Sequence, residues 1–144
     1  MRASEIRPEY VELMPKALEE GVLYISKKYG TAVHKCCCGC GQKVVTPLMP
    51  TEWSLEIVAG RVSLRPSIGN WSFACRSHYW IRNNRVVWAG DMSDAQIERG
   101  RRRDRVAKQQ YFAQAAEGAG SSANAVEPRK PNLLERLGRW FFSR

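Results

Sequence analysis

The sequence predicts an α+β protein, a small and mainly antiparallel β domain between a short N-terminal helix and a C-terminal helix. Two observations carry this. Between residues 22 and 88, short runs rich in β-branched and aromatic residues alternate with turn-forming glycines and asparagines, and after Gly90 the composition turns to helix formers. The length of 144 residues suits one ordinary domain with tails.

Taken in order, residues 1–20 carry a helical pattern interrupted by Pro8 and Pro15. Pro15 suits the first turn of a short helix PKALEE that stops at Gly21. VLYIS (22–26) and TAVHKC (31–36) flank the turn-like KKYG and read as a hairpin. WSLEIV (53–58) and VSLRP (62–66) form a second hairpin around Ala59, Gly60 and Arg61. YWIR (79–82) and RVVW (85–88) form a third around Asn83 and Asn84, where Asn tolerates positive φ. Ser93 and Gln96 have the spacing of a capping box, which predicts a helix from about Ser93 to Glu117. The chain therefore divides into a β domain (1–90), a basic helix (91–118), a flexible linker (119–131) and an amphipathic aromatic tail (132–144).

The net charge is +9, but it is unevenly spread: residues 1–90 hold 12 basic and 7 acidic groups, whereas residues 99–108 alone hold six basic and one acidic. That run reads as a solvated helix face ahead of a nucleic-acid contact. Residues 1–20 lack the apolar stretch of a signal peptide, and no run approaches the ~18–20 apolar residues of a membrane span. The expectation is a cytoplasmic protein, in which clustered thiols are metal ligands more often than disulfides.

Four of the five cysteines lie in HKCCCGCGQ (34–42), and the fifth, Cys75, begins a CxxH that ends at His78. Two ligand groups in separated segments are how zinc staples a small β domain, because the metal closes a long loop. The fold class thus includes a zinc site. Two ligand sets fit the spacing: Cys37 with Cys40 as a CxxCG knuckle, or Cys36, Cys38 and Cys40, which with His34 share one face of an extended strand. A second polar concentration is RPSIGNW (65–71), with Ser67 and Asn70. A hydroxyl nucleophile needs a base in reach, and the chain has only His34 and His78; for Ser67 or Ser77, His78 is the better placed. Ser77 and His78, as neighbours on a strand, point to opposite sides.

The stretches HKCCCGCGQKVVTPLMPTEW and LRPSIGNWSFACRSHYWI resemble a bacterial family with the patterns HxCxCGCG and PSIGNWxFxCxSHYWI. Its members are encoded beside ubiquitin-like proteins and relatives of ubiquitin-activating and carrier enzymes. The resemblance covers residues 22–88. It implies metal ligation by Cys36, Cys38, Cys40, Cys75 and His78, with Cys37 a bystander, because position 37 is not cysteine in the pattern. It also implies a zinc-binding, deubiquitinase-like peptidase acting on a ubiquitin-like protein. His78, Ser67, Ser77, Asn70 and His34 are then the candidate nucleophile, base and oxyanion-binding groups. The other reading is a non-catalytic zinc-stapled module that binds a ubiquitin-like protein, its conjugating enzymes or nucleic acid.

Overall fold

A computed structural model of the chain describes residues 1–123, with side chains to residue 120. Met1–Ala107 form one compact unit, and the described residues from Lys108 to Ala123 belong to a second. The first sheet contains β1 (Arg7–Tyr10), β2 (Val22–Ser26), β3 (Thr31–Lys35) and β4 (Lys43–Pro47), in that spatial order. The second contains β5 (Ser54–Val58), β6 (Arg61–Gly69), β7 (His78–Arg82) and β8 (Arg85–Trp88), again in chain order. A helix, α1, spans Asp94–Ala123. All pairings except β1 with β2 are antiparallel.

The three expected hairpins form. Ala59 (φ 50°) and Gly60 (φ 74°) join β5 to β6, and Asn83 (φ 49°) and Asn84 (φ 65°) join β7 to β8. Two successive left-handed residues are what a tight hairpin turn with the twist of its strands requires. Asn84 also binds Val62 of β6, accepting its N–H on Oδ1 at 2.8 Å and donating its own N–H to the Val62 carbonyl at 2.9 Å.

The short N-terminal helix expected at residues 15–20 does not form. Arg7–Tyr10 instead lie parallel to Val22–Ile25, and the connection between them is drawn across the outer face of β2. There Ser26 Oγ donates to the Glu12 carbonyl at 2.8 Å, and the Tyr24 hydroxyl accepts the Glu19 N–H at 3.2 Å. These bonds satisfy the segment without a helical turn and leave β2 buried along its whole length. Strand β4 is a further departure from expectation, as is the length of β6, which takes in Pro66–Gly69.

The inner faces of the two sheets share one hydrophobic cluster. Leu23, Ile25, Ala32 and Val44 come from the first sheet, and Val62, Leu64, Ile68, Tyr79 and Ile81 from the second. Helix α1 starts at the predicted capping box: Ser93 N–H donates to Gln96 Oε1 at 2.9 Å and Gln96 N–H to Ser93 Oγ at 3.3 Å. Ile97 is buried, whereas the basic run around Arg101, Arg102 and Arg103 is exposed. The helix continues beyond Glu117 to Ala123. The rest of the predicted linker and the amphipathic tail lie outside the described residues. Among the described residues no helix is long and apolar enough to cross a membrane.

Candidate active site and metal centre

Two groups of polar side chains form on either side of the β7 start. The first is the cysteine cluster. Cys36 leaves the end of β3, its N–H held by the Gln42 carbonyl at 2.8 Å, while the Gly39 N–H returns to the Cys36 carbonyl at 3.1 Å. The loop between them passes through Gly39 (φ 87°) and Gly41 (φ 80°), conformations a side chain at either position would strain. Cys75 approaches from the loop before β7. The Sγ atoms of Cys36, Cys38, Cys40 and Cys75 all lie within 4.8 Å of one another. The separations are 3.4 Å for Cys36–Cys38, 3.9 Å for Cys36–Cys75 and 3.8 Å for Cys40–Cys75.

A tetrahedron with Zn–S bonds of ~2.3 Å has S···S edges of about 3.8 Å, so the four thiols fit a structural zinc site made wholly of thiolates. Donors support the same sulfurs. Cys40 N–H reaches Cys38 Sγ at 3.3 Å, Asn70 Nδ2 reaches Cys36 Sγ at 3.6 Å and Ser77 Oγ at 2.9 Å, and Ser77 Oγ lies 2.9 Å from Cys36 Sγ. Amide and hydroxyl donors around thiolates fix ligand orientation and lower their charge density. Cys37 points elsewhere, into the core, where burial pushes its thiol up to about 12. It remains a neutral apolar side chain.

The second group is centred on His78. Its Nε2 lies 2.9 Å from Ser67 Oγ, and its Nδ1 lies 2.9 Å from the Gly90 carbonyl oxygen. A carbonyl has no proton to give, so Nδ1 carries the hydrogen, and in the neutral ring Nε2 is the bare acceptor facing the serine hydroxyl. Three local features produce this pairing. The register between β6 and β7 shifts between Leu64 and Ile68, and Ser67 lies within that irregularity while Gly69 sits directly opposite His78. Gly69 has no side chain, and the Trp71 indole occupies the space, with a ring centroid 4.9 Å from that of His78. Trp80, two residues along β7 and so on the same face, has its centroid 5.7 Å from the imidazole.

The segment that supplies the Gly90 carbonyl is held by Arg76. Its guanidinium donates to the Met92 carbonyl at 3.0 Å and meets Asp94 at 3.3 Å and Asp91 at 3.4 Å. It also lies 5.6 Å from the Trp71 ring centroid. Ser67 and His78 line a cleft of about 300 Å³ whose other walls include Glu52, Trp53 and, from α1, Gly100 and Asp104.

The sequence candidates therefore separate. Ser67 and His78 come together, and His78, with both nitrogens engaged, is not among the four clustered ligands. Asn70 and Ser77 lie against the thiols. His34 is fully buried, with Nε2 2.8 Å from the Tyr79 hydroxyl, and burial lowers its pKa to about 4, so it is neutral at pH 7. Sequence reasoning missed the Gly90 carbonyl, which no side chain announces. It also missed Trp71 and Arg76, although both lie inside the stretch that carries the resemblance.

A serine hydroxyl aimed at an imidazole whose far nitrogen is fixed by an acceptor, in an open cleft, is an arrangement that can support nucleophilic chemistry at the hydroxyl. Residues 10–89 match the family model of the bacterial ubiquitination-like system serine protease, BubE. The chain belongs to that family. Neither a curated protein nor a solved structure matches it.

Proposed function

We propose that the protein is a serine peptidase that processes or deconjugates a ubiquitin-like protein, with Ser67 as nucleophile and His78 as general base. The observation that carries the reading is the two-sided engagement of His78, between Ser67 Oγ and the Gly90 carbonyl. Ser67 Oγ attacks the scissile carbonyl as its proton passes to Nε2. The tetrahedral intermediate collapses when the imidazolium returns that proton to the leaving amine. Water then attacks the acyl carbonyl as its proton passes to Nε2, and the second intermediate collapses to the free acid as the imidazolium returns that proton to Ser67 Oγ. The Gly90 carbonyl takes the place usually held by a carboxylate. It fixes the tautomer and orients the ring, but as a neutral dipole it stabilises the imidazolium less than an aspartate does.

In this reading Cys36, Cys38, Cys40 and Cys75 hold zinc for structure. Four thiolates leave no open coordination position, and zinc there ties the β3–β4 loop to the segment entering β7. Asn70 and Ser77 orient those ligands, and His34 belongs to the core. Membership of a ubiquitination-like protease family supports a ubiquitin-like protein as substrate. The test incubates the zinc-loaded protein with a ubiquitin-like precursor extended beyond its C-terminal tail and follows the mass of the products. A single cut at the tail by wild type, lost in Ser67→Ala and His78→Ala, is expected. Absence of cleavage by wild type, or equal cleavage by either variant, refutes the reading.

A further inference from the structure

Two open strand edges border one groove, and the groove leads to Ser67. Strand β4 is the outermost strand of its sheet. At its two ends, Cys36 N–H bonds to the Gln42 carbonyl and Leu48 N–H to the Gly30 carbonyl, so even-numbered residues direct their backbone groups toward β3. Alternation turns the N–H and C=O of Val45 outward. Pro47 shows the same phase, its carbonyl accepting the Trp53 N–H at 3.1 Å.

Strand β6 is paired with β5 only as far as Ser54 opposite Arg65. Beyond that point Ile68 pairs with Tyr79 and Asn70 N–H bonds to the Ser77 carbonyl, which directs residues 68 and 70 toward β7. The N–H and C=O of Gly69 face the other way. A cavity of about 180 Å³ is lined by Val45 and Gly69 from these two edges, with Trp53 and Phe73 among its other walls. It shares Trp53, Gly69 and Ser72 with the cleft that holds Ser67 and His78.

We infer that this groove receives the substrate's main chain as an added strand, bonded to Val45 on one side and Gly69 on the other, leading an extended tail to Ser67. Only an extended chain presents N–H and C=O groups alternately to two opposite edges. The cavity is smaller than the ~300–1,000 Å³ of ordinary ligand pockets, so the tail residues it accepts have small side chains. Continuity with the Ser67 cleft is what selects substrate as the occupant. The inference rests on the peptidase reading above.

Two probes separate the failure of one from the failure of the other. A small fluorophosphonate needs only the Ser67–His78 pair. A ubiquitin-like protein bearing a C-terminal aminomethylcoumarin amide needs the groove as well. Val45→Pro removes an outward N–H from an edge strand, where proline is tolerated, and Val45→Thr retains it.

The expected result is at least a tenfold loss of kcat/KM on the coumarin conjugate in Val45→Pro, none in Val45→Thr, and fluorophosphonate labelling within twofold of wild type in both. Single N-methyl groups on consecutive tail amides of the conjugate should each cost wild type about tenfold. Val45→Pro removes only the N–H donated to a tail carbonyl and keeps the Val45 carbonyl that accepts a tail N–H, so the N-methyl losses should persist in that variant. Wild-type cleavage by Val45→Pro, or indifference of the wild type to tail N-methylation, overturns the strand-addition inference. Absence of labelling at Ser67, or undiminished cleavage by Ser67→Ala, overturns the peptidase reading instead. If Val45→Pro melts early, the N-methyl series in wild type decides alone.

Discussion

Replacing Gly69 by alanine tests how the imidazole is held. An added Cβ would lie 2.3 Å from Trp71 Nε1, 2.5 Å from Cε2 and 2.9 Å from Cζ2. Ordinary contact begins near 3.4 Å, so the indole must retreat by about 1 Å or swing away. Its ring lies against His78 with centroids 4.9 Å apart, and the Arg76 guanidinium lies 5.6 Å from its centroid. An aromatic pair contributes about 0.5–1.5 kcal/mol beyond burial and a half-exposed cation–π contact about 0.5–1 kcal/mol. Losing both costs on the order of 1–2.5 kcal/mol. If that packing is what fixes the imidazole, the same free energy appears in the barrier, and the rate of Ser67 labelling by a fluorophosphonate falls about 5- to 70-fold. A thermal melt on the same sample separates this from unfolding. Trp71→Ala supplies the cycle: with the indole gone, the alanine at position 69 has nothing to displace. The double variant should therefore label no more slowly than Trp71→Ala alone. Additive losses in the double variant, or a Gly69→Ala rate within twofold of wild type, refute the reasoning.

Three further outcomes follow from the same geometry. Arg76→Ala should slow Ser67 labelling about tenfold by releasing the segment behind Gly90, with partial recovery in Arg76→Lys; ¹⁵N shifts of His78 should show the Nδ1–H tautomer losing population, which a general loss of stability does not produce. His34→Ala opens a cavity and removes the shorter of the two hydrogen bonds of the buried Tyr79 hydroxyl, leaving it the Cys37 N–H at 3.5 Å. Denaturant melts should show a loss of about 2–4 kcal/mol, with the labelling rate of the folded fraction unchanged. Cys37→Ala should retain one zinc per chain by metal analysis, whereas Cys38→Ser should lose it and melt at least ~10 °C lower, as loss of about 2 kcal/mol or more in a domain of this size implies.

The hairpins were legible because their turns demand particular residues: Ala59–Gly60 and Asn83–Asn84 sit where two left-handed conformations follow one another. The thiol set was legible only with the resemblance, since spacing left Cys37 with Cys40 open as well, and residues 36–40 form a turn, not the extended strand that alternation assumes. The first and fourth strands were not. Pro8 lies within β1, whose parallel pairing to β2 depends on a connection that no local pattern encodes, and β4 is a short edge strand. Ser67 and His78 could be named from sequence, but their meeting depends on the register shift between Leu64 and Ile68. The group that orients His78 was invisible, because a backbone carbonyl has no identity in a sequence. Reading the polar residues as one site also joined two that the fold separates, with Asn70 and Ser77 turned to the thiols and Ser67 to the imidazole.

That separation limits how this stretch can change. Cys75, Arg76, Ser77 and His78 are consecutive, and each is engaged by a different neighbour: the other thiols, the loop behind Gly90, the Cys36 sulfur, and the Ser67 hydroxyl. Arg76 is left-handed (φ 43°) and β7 begins only at His78, so inserting or deleting one residue here re-aims the side chains on both sides of that bend. The thiol cluster and the Ser67–His78 pair would both be disturbed by one change. Four consecutive residues with four different partners leave this stretch little freedom to vary in length.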